Sequence, residues 1–259
     1  MIKGLIFDAY GTLYDVQSVQ ARTEKLCPGK GDLITQLWRL KQLEYTWLQT
    51  ALLGYRDFTF ITEAALIFAL RAAGVEATEN ITKPLFAKYL DLDPYPEAKE
   101  ALGALRHRGG LKLAILSNGS TAMLTALVKN SGLDAFLDAT ISVDDARKFK
   151  PHPECYALVE KTLGLKNDEV MFVSSNGFDV AGAKHFGFNV VWIRRGDVRA
   201  ERAGANVSAI ARQCRNAGLS AGPYRRRFDG FGRAVMRWRD RDNLRPILIR
   251  QKTSRSFRE

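Results

Sequence analysis

The sequence predicts an α/β protein in which a doubly wound parallel sheet carries a helical insertion after its first strand. Short apolar segments alternate with helical patterns from about residue 95 to residue 193, which is typical of a parallel sheet covered by helices on both faces. Between about residues 17 and 90 the pattern is helical, without the period of two that indicates strands. The insertion is therefore predicted to be all-helical.

Five short apolar segments are predicted to form the strands of the sheet. They cover residues 3–8, 111–116, 139–142, 169–173 and 189–193. Helices are predicted over about residues 97–108 and 121–131, from a start within residues 150–153, and from residue 179 to about residue 186. The segment Asp93-Pro94-Tyr95-Pro96 is predicted to be a rigid hinge, because a proline restricts both its own backbone and that of the residue before it.

Composition limits the class of protein. Of the 259 residues, 46% are hydrophobic, as in an ordinary globular protein, and no apolar run approaches the roughly 20 residues that span a bilayer. The N-terminus shows no cleavable signal pattern, so we expect a cytoplasmic protein with no membrane partner. Cys27, Cys155 and Cys214 lack metal-ligand spacing and are expected to be free thiols. The three scattered histidines disfavour a zinc site or a Ser-His-Asp triad.

Charge divides the chain at about residue 198. Residues 1–198 carry 23 Lys and Arg against 23 Asp and Glu, whereas residues 199–259 carry 16 against 5, so the net charge of +11 lies wholly in the last segment. Three interpretations of this basic tail stay open: it binds the phosphate backbone of nucleic acid, it is merely solvated, or it is an atypical end of the fold. The predicted domains are a core of residues 1–14 and 96–198, a cap of residues 15–95, and the tail of residues 199–259.

Polar side chains follow the predicted strands or begin the helices after them. Because the carboxyl ends of parallel strands meet at one edge of a sheet, where such folds bind their ligands, we expect these side chains to cluster. They are Asp8, Ser117, Asn118, Lys150, Ser174, Asn176 and Asp179.

Each of these residue types has a chemical use and a structural one. The carboxylate of Asp8 is able to attack carbon or phosphorus, or it caps a turn. Lys150 keeps the carboxylates ionised and oriented, or it is a surface lysine. Asp179 activates water, or it stabilises a helix N-terminus. Thr12 and Ser117 are turn residues, or donors to a substrate carboxylate.

Four segments resemble the motifs of the haloacid dehalogenase superfamily. They are Phe7-Asp8-Ala9-Tyr10-Gly11-Thr12-Leu13, Leu116-Ser117-Asn118-Gly119, Phe149-Lys150-Pro151 and Val173-Ser174-Ser175-Asn176-Gly177-Phe178-Asp179. Residues 38–48 resemble the cap of one branch, the L-2-haloacid dehalogenases. The resemblance covers about residues 1–195. It implies a Rossmann-like core with an inserted cap, a homodimer, and hydrolysis of small L-2-haloacids to D-2-hydroxyacids.

The alternative within the superfamily is a phosphatase. Superfamily phosphatases typically place a second aspartate two residues after the nucleophile to protonate the leaving alkoxide, and this chain has Tyr10 there. A halide leaves as a weak base and needs no proton. Ser174-Ser175-Asn176 also stands where phosphatases carry an acidic magnesium ligand, which leaves few carboxylates for Mg²⁺. The resemblance therefore implies a dehalogenase with neither metal nor organic cofactor.

The resemblance also assigns a role to each site residue. Asp8 would attack C2 of the substrate and form an ester, and Arg39 and Asn118 would receive the halide. Thr12, Ser117 and Lys150 would hold the carboxyl groups of substrate and nucleophile. Asp179, supported by Ser174 and Asn176, would position the water that hydrolyses the ester. The remaining substrate-binding positions are Tyr10, Leu43, Phe58 and Phe178 as an apolar wall, and Tyr156 either behind the site or as ordinary packing.

Overall fold

The computed structural model describes residues 1–195 and two short strands nearer the C-terminus. The strands are β1 (Gly4–Phe7), β2 (Lys112–Ser117), β3 (Ala139–Ser142), β4 (Val170–Ser174), β5 (Asn189–Trp192), β6 (Ala234–Met236) and β7 (Ile249–Gln251). The first five form one parallel sheet in the order β3-β2-β1-β4-β5, and β6 pairs antiparallel with β7. The predicted α/β fold is confirmed.

Four helices flank the parallel sheet. They are α5 (Ala98–Arg108), α6 (Thr121–Ser131), α7 (Pro153–Leu163) and α8 (Gly177–Phe186), which are numbered after the four insertion helices described next. Helix α6 begins where Ser120 Oγ accepts a hydrogen bond from the Met123 N–H, and it ends at Gly132, whose φ of 67° suits glycine. Because such signals are local, the predicted bounds of α6 match the observed ones.

The insertion after β1 is helical, as predicted. Its helices are α1 (Gln20–Leu26), α2 (Gly31–Ala51), α3 (Phe58–Ala72) and α4 (Glu79–Tyr89). Helices α2 and α3 pack against each other, and the buried Trp38 of α2 donates its indole N–H to the Thr62 carbonyl of α3 at 2.9 Å. This contact satisfies the one polar atom of a large core side chain. Short 3₁₀ helices cover Val16–Val19, Asp134–Phe136, Val143–Ala146 and Asn167–Glu169.

Two stretches of extended chain join the insertion to the sheet. The outgoing connector (residues 13–15) and the returning connector (residues 93–95) run side by side. The Asp15 N–H donates to the Asp93 carbonyl, and the Tyr95 N–H donates to the Leu13 carbonyl, each at 2.9 Å. The predicted hinge is thus one half of a hydrogen-bonded pair. The division into a core and a cap at these connectors stays a prediction.

The structure covers only part of what the sequence predicts for the cysteines and the basic tail. Cys27 and Cys155 are buried free thiols, whereas Cys214 and the arginines of the basic tail other than Arg250 of β7 lie outside the described residues. Within the part of the chain that the structure describes, no helix is long and apolar enough to cross a membrane.

Candidate active site

The carboxyl end of the sheet positions the predicted nucleophile. Phe7 pairs with Ile115 of β2 on one side and with Val173 of β4 on the other. Asp8 therefore leaves the central strand between two neighbours, and its N–H still donates to the Val173 carbonyl at 2.9 Å. This last backbone bond fixes the Asp8 side chain at the strand end, where parallel sheets place their ligand sites.

Lys150 joins two carboxylates. Its Nζ lies 3.0 Å from Asp8 Oδ1, 2.7 Å from Asp179 Oδ2 and 3.0 Å from the Leu116 carbonyl oxygen, so all three ammonium donors are used. The side chain is buried. Burial alone would lower the pKa of Lys150, but the two carboxylates outweigh it and raise that pKa above its ordinary value. The lysine is thus a permanent cation that holds both acids in place.

Asp179 is a buried acid that titrates close to neutrality. Burial raises its pKa to about 6, and the nearby Asp8 acts in the same direction, whereas Lys150 and a hydrogen bond from Tyr156 lower it. The Tyr156 hydroxyl donates to Asp179 Oδ1 at 2.9 Å, and Lys150 occupies Oδ2. An acid with this pKa is able to accept and release a proton at the pH of the cell, as a general base requires.

The second oxygen of Asp8 has its own donors. Thr12 Oγ1 donates to Asp8 Oδ2 at 2.8 Å, and Asn176 Nδ2 donates to the same oxygen at 2.7 Å. Thr12 Oγ1 in turn accepts from the Ser175 N–H at 2.9 Å. Donors on both oxygens fix the plane of the Asp8 carboxylate. Because the Asn176 amide is used here, it does not cap α8, which begins directly after it.

A pocket that encloses about 270 Å³, part of it open solvent, lies beside Asp8 between the sheet and the insertion. It is lined by Asp8, Tyr10, Arg39, Leu43, Phe58, Ser117, Asn118, Lys150, Asn176 and Phe178. Arg39 enters from α2, where Nη2 lies 3.3 Å from Asn176 Oδ1 and 3.4 Å from the Tyr10 carbonyl oxygen. Both partners are neutral, so the guanidinium charge is available to an anion in the cavity.

Polar and apolar atoms divide the cavity wall. Asn118 Oδ1 accepts a hydrogen bond from the Lys150 N–H at 2.9 Å, which leaves the Asn118 NH₂ group as a donor. The Ser117 hydroxyl oxygen accepts from the Gly119 N–H at 3.2 Å. The Tyr10 ring lies between Phe58 and another tyrosine, with ring centroids 5.4 and 5.5 Å apart. One end of the cavity is therefore suited to an anion and the rest to an alkyl group.

Four predicted site residues lie behind the cavity wall. They are Thr12, Ser174, Asp179 and Tyr156. The side chain of Asp179 accepts hydrogen bonds from Lys150 and Tyr156. Ser174 and Asn176, the predicted supports of Asp179, bond to other groups: Ser174 Oγ accepts from the Asn176 N–H at 3.1 Å, and Asn176 Nδ2 donates to Asp8. The hydroxyl of Tyr156 contacts Asp179, so Tyr156 lies behind the cavity, which is one of the two positions that the sequence left open.

The sequence did not single out three residues that orient the site. Ser175 donates its hydroxyl to the Gly11 carbonyl at 2.6 Å and its N–H to Thr12. In the insertion, the buried Gln42 accepts a hydrogen bond from the Tyr89 hydroxyl at 2.9 Å, and the Tyr89 ring stacks on Tyr10. Ser175 lay inside a recognised motif, but the helical spacing of Gln42 and Tyr89 gave no sign of their pairing.

The fold and this site are those of a hydrolase with an aspartate at the end of the central strand. Comparison with known proteins identifies its family. The model of the haloacid dehalogenase-like hydrolase family matches residues 2–187, and the chain belongs to that family. The (S)-2-haloacid dehalogenase of Xanthobacter autotrophicus is 53% identical over 195 residues, which are 75% of this chain and 76% of that protein. The haloacetate dehalogenase H-2 of Moraxella sp. is 47% identical over 75% of this chain and 86% of its own.

A solved structure extends the similarity to three dimensions. The L-2-haloacid dehalogenase of Xanthobacter autotrophicus with chloropropionic acid covalently bound matches with a TM-score of 0.72 and 48% identity. The match covers 86% of this chain and 85% of that one. The family that the four sequence motifs predicted is therefore confirmed.

Proposed function

We propose that this protein is an (S)-2-haloacid dehalogenase that hydrolyses small L-2-haloacids to D-2-hydroxyacids. The observation that carries the proposal is the environment of Asp8: its carboxylate is oriented by Lys150, Thr12 and Asn176, and the residue two positions on is Tyr10 rather than an acid. The nucleophile is thus prepared for a leaving group that needs no proton. The names of the similar proteins from Xanthobacter and Moraxella agree with this chemistry.

In the first step, Asp8 displaces the halide. A carboxylate oxygen of Asp8 attacks C2 from the side opposite the halogen, so the C2–O bond forms as the carbon–halogen bond breaks. The halide takes the bonding electron pair and is received by the Arg39 guanidinium and the Asn118 NH₂ group. Ser117 binds the substrate carboxylate. Attack from the far side inverts C2, which turns the L-haloacid into an ester of D configuration.

In the second step, water cleaves the ester. Asp179 accepts a proton from a water molecule, and the resulting hydroxide attacks the carbonyl carbon of the Asp8 ester. The bond between that carbonyl carbon and the ester oxygen then breaks, and Asp179 returns its proton to the departing oxygen. The C2–O bond stays intact, so the D-hydroxyacid leaves with an oxygen that came from Asp8, and an oxygen of the water remains in the Asp8 carboxylate. Because Asp8 and Asp179 contact the same Lys150 ammonium, the base and the ester lie within reach of one cation.

Halide release tests this proposal. Purified protein is incubated with L- and D-2-chloropropionate in the presence of a chelator, and chloride is measured over time. We expect chloride only from the L isomer, and none from Asp8→Asn, a near-isosteric change that removes one of the two carboxylates that contact Lys150 and whose folded state is checked by circular dichroism. A single turnover in H₂¹⁸O with enzyme in excess should label Asp8 and leave the hydroxyacid unlabelled. Magnesium-dependent phosphate release from phosphoesters without halide release would overturn the assignment.

We also propose that the protein is a cytoplasmic homodimer. Exposed apolar side chains recur every seven residues on α2 (Leu33, Leu40) and on α3 (Phe60, Ile67), which gives each helix an apolar stripe on its exposed side. Such a stripe supports pairing with a second copy of the chain. Light scattering on a sizing column should give twice the 29.0 kDa chain mass, and Leu40→Glu should shift it towards the monomer. A monomeric wild type would refute the dimer.

A further inference from the structure

Arg195, just after the last strand of the parallel sheet, makes three contacts with parts of the chain that are far apart in sequence. Its Nη1 lies 2.7 Å from Glu97 Oε1, its Nη2 donates to the Thr12 carbonyl at 2.6 Å, and its guanidinium carbon lies 3.3 Å from the centroid of the Tyr95 ring. The Arg195 side chain is 13% exposed and that of Glu97 is 12% exposed. We call these four residues the Arg195 cluster.

The partners of Arg195 lead to the nucleophile. The Thr12 carbonyl binds Arg195, while the hydroxyl of the same residue donates to Asp8 Oδ2 at 2.8 Å. A shift of the Thr12 backbone therefore moves a hydrogen-bond donor on the attacking carboxylate. No other residue of the cluster contacts Asp8 among the hydrogen bonds of the described chain.

The same cluster also holds both connectors. Tyr95, under the guanidinium, belongs to the returning connector and donates its N–H to Leu13 of the outgoing one. Glu97 comes directly before α5. A planar guanidinium is able to donate two bonds in fixed directions while it stacks on a ring, whereas a lysine ammonium is a single point charge. The arrangement therefore uses the shape of arginine as well as its charge.

We propose that Arg195 is a positioning residue for the displacement reaction: through Thr12 it sets the orientation of the Asp8 carboxylate, and through Glu97 and Tyr95 it fixes the connectors of the insertion. Its catalytic effect rests on the proposed dehalogenase function. Small misplacements of reacting groups lower rates by factors of about 10 to 100. Removal of the guanidinium should therefore lower kcat by about 10-fold or more, with less than about a threefold change in KM because Arg195 does not line the cavity.

The first experiment compares Arg195→Met and Arg195→Lys with Arg106→Met, which removes an arginine–carboxylate pair, with Asp138, that lies at the surface and away from the site. Chloride release from L-2-chloropropionate is measured at steady state. The amplitude of the initial burst of chloride, with substrate in excess, gives the fraction of active enzyme. We expect the lower kcat to persist per active site in Arg195→Met, Arg195→Lys to recover only part of it, and Arg106→Met to match wild type. A kcat per active site equal to wild type in Arg195→Met would overturn the proposal.

The second experiment does not depend on activity. Hydrogen exchange followed by mass spectrometry reports on peptides that contain the paired connector amides of Asp15 and Tyr95. We expect at least about tenfold faster exchange there in Arg195→Met, and no change in peptides from α6. If Arg195→Met fails to fold, Glu97→Gln takes its place. A wild type that releases no halide would refute the dehalogenase function alone, whereas unchanged exchange would refute the Arg195 cluster as the support of the connectors.

Discussion

Replacing Lys150 with methionine tests how far the lysine charge stabilises the two buried carboxylates of Asp8 and Asp179. The change keeps most of the side-chain volume and removes the cation that contacts both Asp8 and Asp179. Removing one partner of a buried ion pair costs about 3–5 kcal/mol. In a domain of this size each kcal/mol lowers the Tm by about 2–4 °C. At about pH 7 the Tm of Lys150→Met should therefore fall by about 6–20 °C.

The loss should shrink in acid, because Asp179 is able to take up a proton. Burial raises its pKa to about 6 with Lys150 present, and loss of the ammonium raises that pKa further. An acid with a higher pKa in the folded protein destabilises the fold as pH rises from its unfolded pKa of about 3.9 through its folded pKa. Lowering the pH from about 7 to about 5 should therefore restore part of the stability of Lys150→Met.

Thermal unfolding followed by circular dichroism at both pH values measures these effects. Lys148→Met is the matched control, since Lys148 pairs with the exposed Glu154 at the surface, and such pairs contribute at most about 1 kcal/mol. A Lys150→Met protein with the Tm of the control at about pH 7, or with an equal loss at both pH values, would contradict the balance of charges described for this site.

Three further substitutions test other parts of the site. Tyr156→Phe removes a donor to ionised Asp179, so the acidic limb of the pH profile of kcat, which includes ester hydrolysis, should move to higher pH by about half a unit to one unit; Tyr14→Phe, which removes a remote hydroxyl, should leave it in place. The Tyr10 hydroxyl has no hydrogen-bond partner within the described chain, so Tyr10→Phe should raise the free energy of unfolding by about 1 kcal/mol in urea titrations; a loss would indicate a partner. Phe178→Trp narrows the cavity and should raise KM for 2-chlorobutyrate by about 10-fold relative to chloroacetate; equal KM changes would show that Phe178 does not limit substrate size.

Local sequence signals predicted much of the architecture. The third strand was predicted to the residue, and the approximate bounds predicted for α6 agree with the observed ones. The helix ends are local features, because a serine N-cap and a glycine C-cap act over a single turn. The position of Asp8, Lys150 and Asp179 at one edge of the sheet followed from topology. These three are brought together because parallel strands end at the same edge.

Contacts between distant segments could not be predicted in the same way. Helical spacing marks Gln42 and Tyr89 only as positions on their helices, and their hydrogen bond depends on how α2 and α4 pack. Tyr156 belongs to a helix whose pattern fits plain packing, and its bond to Asp179 depends on where α7 meets α8. Arg195 did follow a predicted strand, so the rule that found the other polar residues would have found it as well.

The residues that line the pocket come from two parts of the chain, which the paired connectors separate. Leu43 and Phe58 reach the cavity from helices between the connectors, whereas Asp8 and Lys150 belong to the sheet side. Sequence drift in the inserted helices is therefore able to reshape the pocket while the attacking group stays unaltered. Chimeras that exchange residues 16–92 between relatives should take their chain-length preference from the donor of the helices, provided that the donor keeps an arginine at the position of Arg39.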